Sequence, residues 1–264
     1  MEAVVRVITL TTDFGSRDWF VGTMKGVILR LAPKATVVDV THDLPPGDIR
    51  AGAFALAAAC RFFPKGTVHV AVIDPGVGSA RRAIAARTAN GFFVGPDNGV
   101  LSWALAREQI KAVHTLENAD CFLHPVSRTF HGRDVFAPVA ARLSRGMLLR
   151  QLGPVVKNFV RLSWPSARHG DGWLEGEVVY VDHFGNAITN LENRWVQDLA
   201  SGPLAVWRGR KRLCPLADFY QSVPTGRPVA VPGSSGFLEV VVNGGNASQK
   251  LRLQIATALA VRPA

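Results

Sequence analysis

Two textures of apolar spacing divide the chain. In the first half, short β-branched runs alternate with longer segments whose apolar residues recur at helical spacing. Residues 4–10 read as a buried strand that runs into the polar loop Thr11-Thr12-Asp13-Phe14-Gly15. Residues 21–31 carry a helical pattern that Pro33 stops, and residues 36–40 form a second strand ending in Thr41-His42-Asp43. Helical character returns over 48–63, closes on Pro64-Lys65-Gly66, and is followed by a third strand over 67–73. Strand and helix in strict alternation predict an α/β domain with a mainly parallel central sheet. In such sheets the loops at the carboxyl ends of the strands build the ligand crevice. Asp13, Asp39, Thr41 and Asp74 fall at those ends.

After Gly153-Pro154 the helical period is lost. Trp164-Pro165 and His169-Gly170-Asp171-Gly172 are rich in turn formers, and beyond them short β-rich runs (175–181, 204–207, 228–231, 237–242) are separated by Gly, Pro and Asn. This pattern predicts an α/β domain over 1–155, a linker over 156–172 and an all-β, barrel-like domain over 173–264.

At 264 residues and 48% hydrophobic, the chain can bury a sizeable core. Its longest apolar stretch, 51–60, is about half of what a bilayer span needs, so no membrane segment is expected. Arg6 and Asp13 interrupt the apolar N-terminus, which argues against a signal peptide and for a cytoplasmic protein. Cys60, Cys121 and Cys214 are too few and too scattered for a disulfide framework or a zinc knuckle, and read as reduced thiols. The net charge of +10 is compatible with nucleic acid, a membrane surface or an acidic ligand. Its densest cluster, 208–212, lies where a solvated hairpin tip is expected, and no aromatic RNA-binding signature accompanies it. No nucleic-acid partner is expected.

Three constellations could carry chemistry. In Asp74-Pro75-Gly76-Val77-Gly78-Ser79-Ala80-Arg81, the proline and glycines force a tight turn that can return Arg81 to Asp74. The residues alone leave open whether this is a loop ion pair or part of a site. His131, in Thr129-Phe130-His131-Gly132-Arg133-Asp134, precedes an apolar helix and, taken alone, reads more readily as a structural histidine than as a site residue. The run 182–190, together with Ser234-Ser235-Gly236-Phe237-Leu238-Glu239 and Asn243-Gly244-Gly245-Asn246, offers turns that either bind a ligand or merely reverse the chain. No histidine pair shows metal-ligand spacing, and no glycine-rich phosphate loop is present, so neither a metal nor a cofactor is expected.

Taken in order, Thr12-Asp13-Phe14-Gly15, Val38-Asp39-Val40-Thr41-His42, Asp74-Pro75-Gly76-Val77-Gly78, Gly95-Pro96-Asp97-Asn98-Gly99, the His131 segment, the run 182–190 and the run 234–246 resemble the S-adenosylmethionine hydroxide adenosyltransferase family, relatives of the fluorinases and chlorinases. The resemblance covers almost the whole chain. It implies hydrolysis of S-adenosylmethionine to adenosine and methionine by attack of water or hydroxide on the ribose C5′, with Asp74, Arg81 and His131 as the catalytic set. By position it implies that Asp13 holds the ribose hydroxyls, Asp182 and Ser234 the methionine, and Asn186 with the backbone at Asn243 and Gly244 the adenine. A homotrimer with active sites between subunits is also implied. Gly47 departs from the family, which usually carries a bulkier residue before Asp48-Ile49, so a looser cover over the ribose is expected. The competing expectations are a halogenase delivering chloride to the same carbon, and a protein that binds S-adenosylmethionine or adenosine without turnover.

Overall fold

The computed structural model describes residues 7–199 and 202–264, which form two compact units divided after Leu162. Residues 4–6 of the first expected strand lie outside the described residues. The first unit opens with β1 (Val7–Thr12), α1 (Phe20–Leu31), β2 (Thr36–Thr41), α2 (Ile49–Ala59) and β3 (Thr67–Val72). It continues with β4 (Ala83–Thr88), β5 (Gly91–Pro96), α3 (Ser102–Leu105), β6 (Ile110–Thr115) and α4 (Ala137–Ser144). The six strands form one sheet in the order β2-β1-β3-β5-β4-β6. β2, β1, β3 and β5 pair in parallel, whereas β4 runs antiparallel to both β5 and β6. The sheet is therefore mainly parallel, and only β4 starts at the edge where the other five strands end.

Alternation along β1 and β3 separates the two faces of this sheet. Ile8, Leu10, Val68, Val70 and Val72 pack into one core with Met24 and Ile28 of α1 and Val139 and Ala140 of α4. The intervening Thr9 and His69 point the other way, where Thr9 Oγ1 and His69 Nδ1 are 2.8 Å apart. The His69 ring is wedged between Phe63 and Phe93, with centroid distances of 5.7 and 5.0 Å. Asp48 caps α2 by accepting from the Ala51 amide, as its short polar side chain predicts. Asp39, expected near the end of the second strand, lies within β2 opposite Leu10, and Thr41, expected in the loop that follows, is the last residue of that strand. One residue after Leu10 the pairing slips by a bulge, so Thr11 faces Thr41.

The second unit contains β7 (Arg168–Gly170), β8 (Trp173–Val181), β9 (Ala187–Glu192), α5 (Asn193–Asp198), β10 (Leu204–Arg208), β11 (Lys211–Pro215), β12 (Pro228–Pro232), β13 (Phe237–Val242), α6 (Ala247–Leu251) and β14 (Ala258–Pro263). Its strands pair antiparallel in the order β11-β10-β14-β8-β9-β13-β12, with β7 on β8. The chain leaving β11 then reaches β12, where the Ala217 amide donates to the Ala230 carbonyl and brings the two ends of the sheet together. Leu174, Val178, Leu191, Val206, Leu238, Val240, Leu259 and Val261 fill the interior of this nearly closed barrel.

The segment expected as a linker, 156–172, is shared between the units. The Val160 amide donates to Asp97 and the Leu162 amide to Ser102 in the first unit, while β7 adds to the second. The basic run 208–212 spans the end of β10, a two-residue tip at Gly209 and Arg210 and the start of β11, and Arg208 turns back to donate to the Leu251 carbonyl at the end of α6. The three cysteines are free thiols, with Cys121 and Cys214 buried and Cys60 partly so. Among the described residues, no helix is long and apolar enough to cross a membrane.

Burial holds the His69 imidazole down to about 4, so the folded protein keeps it neutral while the unfolded chain protonates it near 6.5. Between those values the unfolded state binds more protons, so stability falls as pH is lowered through that window. Urea unfolding at pH 7 and pH 4 should show a loss of roughly 3 kcal/mol from this group. That increment should be absent in His69→Phe.

Candidate active site

The sheet edge where β1, β2, β3, β5 and β6 end gathers the polar loops of the first unit. Asp13 follows β1, His42 follows β2, Asp74 lies two residues beyond β3 and Asp97 follows β5. Because β4 starts at this edge, the loop from β3 to β4 leaves and returns to the same place, which carries Arg81 back to Asp74. Two turns shape that loop: the Val77 amide donates to the Asp74 carbonyl and the Ser79 amide to the Gly76 carbonyl. Gly78 has φ +76°, and a Cβ there would meet the Arg128 carbonyl oxygen at 2.2 Å. Only glycine satisfies both constraints.

Arg81 is the centre of the cluster. Its Nε donates to both oxygens of Asp74 at 3.0 Å and its Nη2 to Oδ2, while the same Nη2 lies 2.7 Å from His131 Nδ1. The Asp74 side chain is 4% exposed and that of Arg81 12%, so the pair is held away from bulk water. The Phe136 ring lies 5.5 Å beneath the guanidinium and supports it from a third direction.

This contact settles the state of His131. A guanidinium carries only donors, so Nδ1 must be the acceptor and the proton of the neutral ring must sit on Nε2. Burial and then the Arg81 charge push the His131 pKa down, against the opposing pull of Asp74 and Asp134. The site therefore presents a carboxylate and a neutral imidazole that offers an N–H.

His131 owes its position to a π-helical turn over Gly132–Phe136 that leads into α4. Asp134 is fully buried there, accepting from Arg133 and from the Ser127 amide, so it ties the preceding loop to the helix. A Cβ at Gly132 would crowd Met24, Phe130 and Phe14 at 3.1–3.2 Å. Beside Arg81 and His131 opens a cavity of about 330 Å³ with apolar walls that include Leu116, Phe122, Val126 and Val135.

Asp13 sits at the same sheet edge and accepts the Gly47 amide at 2.7 Å. Gly47 has φ +74°, a conformation a bulkier residue would adopt only with strain. The residue that departs from the family pattern thus contributes its backbone N–H to Asp13. Trp19 is 70% exposed, whereas Phe20 packs edge-on against Phe130.

In the second unit, Asp182 organises the tip between β8 and β9. Its Oδ1 accepts the Phe184 and Asn186 amides, and its Oδ2 accepts the Asn186 side chain at 2.9 Å. The Ser248 amide reaches the Gly185 carbonyl, which brings this tip beside the turn that holds Asn243 and Gly244. Gly244 has φ +66°, and the Asn243 side chain donates to the Val223 carbonyl. Ser234 lies at the other end of β13, in the turn from β12.

Several contributors lie in motifs to which the sequence assigned no role. Asp97 binds Arg82 and the Val160 amide, and Asn98 donates to the Ile73 carbonyl just before Asp74, so the Gly95 to Gly99 motif braces the loop that carries Asp74 and Arg81. Glu239 is 6% exposed and accepts from the Tyr220 hydroxyl. Burial and the nearby Asp182 raise its pKa. Among the described residues no group of three or more His, Cys, Asp or Glu side chains is placed to hold a metal ion.

Comparison with known proteins agrees with this architecture. Residues 8–153 match the model of the SAM hydroxide adenosyltransferase N-terminal domain and residues 176–259 that of the C-terminal domain. The chain is 44% identical to the (R)-S-adenosyl-L-methionine hydrolase of Salinispora arenicola, over 92% of this chain and 93% of the relative. A fluorinase of an Actinoplanes species is more distant, at 28% identity over 70% of this chain and 71% of the relative. A crystal structure of an uncharacterized conserved protein from Thermotoga maritima superposes with a TM-score of 0.91 at 36% identity, covering 97% of this chain and 99% of that one. With both domain models matched in order, the chain belongs to the SAM hydroxide adenosyltransferase family.

Proposed function

We propose that the protein hydrolyses S-adenosyl-L-methionine to adenosine and L-methionine, and that it takes the (R)-sulfonium form for which its hydrolase relatives are named. The observation that carries this reading is the Arg81 bridge, which sets a buried carboxylate and a neutral N–H donor side by side. A water placed there donates one proton to Asp74 and accepts from His131 Nε2–H, with a lone pair left for C5′. As the C5′–O bond forms the C5′–S bond breaks. The sulfur keeps the electron pair as a neutral thioether, and the proton of the water passes through Asp74 to solvent. Asp74 is the proton acceptor because His131 Nδ1 is already occupied by Arg81.

The substrate carries its own leaving group, so the work left to the protein is to orient the oxygen and limit competing water. No metal or cofactor enters this scheme. In it Asp13 holds the ribose hydroxyls, Asp182 and Ser234 the methionine, and Asn186 with Asn243 and Gly244 the adenine. The assembly we infer is a cytoplasmic homotrimer with active sites between subunits, on the strength of the family resemblance alone. A halide nucleophile is disfavoured because the Asp74 carboxylate would repel an anion at the same position.

Incubation of the purified protein with each sulfonium epimer, with and without chloride or fluoride, should yield adenosine and methionine from the (R) form and no halogenated nucleoside. A halogenated product, or tight binding with no product, would replace this reading. Asp74→Asn should lower kcat by about 100-fold or more while KM changes only a few-fold.

A second expectation follows from the lowered pKa of His131. Activity that needs neutral His131 stays level as pH falls through the ordinary histidine value of about 6.5 and declines only below it. Arg81→Met removes both the charge and the donor, so the acid limb of its residual activity should move upward. An acid limb that stays in place would contradict the assignment.

A further inference from the structure

His42 is a nearly buried titratable group that the hydrolytic scheme does not use. Its ring is 7% exposed and its Nδ1 lies 2.8 Å from Thr12 Oγ1. Its Nε2 lies 3.0 Å from Asp39 Oδ1, a contact whose attraction is chiefly electrostatic. Lys25 holds the second Asp39 oxygen. Thr12, His42 and Asp39 with Lys25 therefore form a continuous polar chain across the ends of β1 and β2.

The direction of this chain follows from donor and acceptor capacity. A carboxylate beside Nε2 favours the proton there, which leaves Nδ1 as an acceptor for the Thr12 hydroxyl. The Thr12 oxygen then accepts the Phe14 amide at 3.3 Å, and the His42 carbonyl accepts the Gly15 amide at 2.8 Å. Burial acts on Asp39 in the upward direction, but its contacts with Lys25 and His42 outweigh it and hold its pKa down.

What lies between these anchor points is Asp13. The residues on both sides of it, Thr12 and Phe14, are tied to His42 through one hydroxyl, and Gly15 is tied to the His42 backbone directly. The Gly47 amide takes one position on Asp13 Oδ2, and the carboxylate retains acceptor capacity for a pair of hydroxyls. The angle at which Asp13 meets a ligand is therefore set by a side chain on the loop after the neighbouring strand, β2. A ring placed only for stability would have no reason to grip the two residues that flank Asp13.

We propose that His42 is a positioning residue for the substrate ribose: bridging Thr12 and Asp39, it fixes the loop that aims the Asp13 carboxylate. The proposal rests on the reading of Asp13 as the ribose-binding residue. It makes Thr12 and Asp39 part of substrate recognition although neither contacts the reacting atoms.

The test is steady-state kinetics on Thr12→Val, Thr12→Ser, Asp13→Asn and the double variant Thr12→Val with Asp13→Asn, each with its thermal melting curve. Thr12→Val is isosteric and should raise KM about 5- to 10-fold with kcat within about 2-fold, as loss of one hydrogen bond on the loop implies. Thr12→Ser, which keeps the hydroxyl, should restore KM. The double variant should match Asp13→Asn alone, because both changes act through one carboxylate. A raised KM for Asp13→Asn beside an unchanged KM for Thr12→Val overturns the positioning role, as does additivity in the double variant. An unchanged KM for Asp13→Asn overturns the ribose reading and the proposal with it. Should Thr12→Val not fold, Asp39→Ala at its more exposed position should raise KM by about 3-fold, and an unchanged KM there overturns the proposal equally.

Discussion

Everything proposed for the site depends on one guanidinium that serves two partners at once. Arg81 neutralises the charge of Asp74 in a place where water is scarce, and the same Nη2 occupies the Nδ1 lone pair of His131. Removing Asp74 would leave a nearly buried cation, and removing Arg81 would leave a nearly buried carboxylate and an unsatisfied ring nitrogen, so the arginine ties the three side chains into a single arrangement. That arrangement divides the labour. The carboxylate accepts, the imidazole donates from Nε2, and the arginine remains an electrostatic fixture throughout.

The fold makes this possible through a reversal in strand direction. A wholly parallel sheet would send the chain leaving β3 to the far edge before the next strand began. Because β4 runs antiparallel, the loop from Asp74 to Arg82 stays at the carboxyl edge and closes on itself. Gly78 lets the loop pass against the Arg128 backbone, and Asp97 and Asn98 fasten it from the neighbouring strand. On the far side, buried Asp134 and the space left by Gly132 present His131 from the π-helical turn.

The parallel half of the sheet was legible in the sequence because β1, α1, β2, α2 and β3 each keep one period and end on a clear stop such as Pro33 or Pro64-Lys65-Gly66. β5 was not legible for a physical reason. Gly91, Gly95 and Pro96 look like turn residues, yet the two glycines mark points where the β3 carbonyls of Thr67 and Ala71 approach to within 2.5 Å of where a Cβ would stand. Without β5 the antiparallel β4 had no visible neighbour. The return of Arg81 toward Asp74 could be read from turn chemistry alone, since both residues belong to one short loop. The link to His131 could not, because it spans 50 residues and depends on how α4 packs. The second unit shows the converse. Asp182 and Asn186 were readable as ligand contacts or as turn formers, and the structure engages both in shaping the tip between β8 and β9.

The central claim is that Arg81 holds His131 as the neutral ring with its proton on Nε2. Nitrogen-15 NMR of the histidine-labelled protein near pH 7, with His131→Gln used to assign the signal, reads that state directly. The account predicts an unprotonated, hydrogen-bonded Nδ1 and a protonated Nε2. A His131 ring protonated on Nδ1, or cationic at that pH, would contradict it and return the role of proton acceptor to the imidazole.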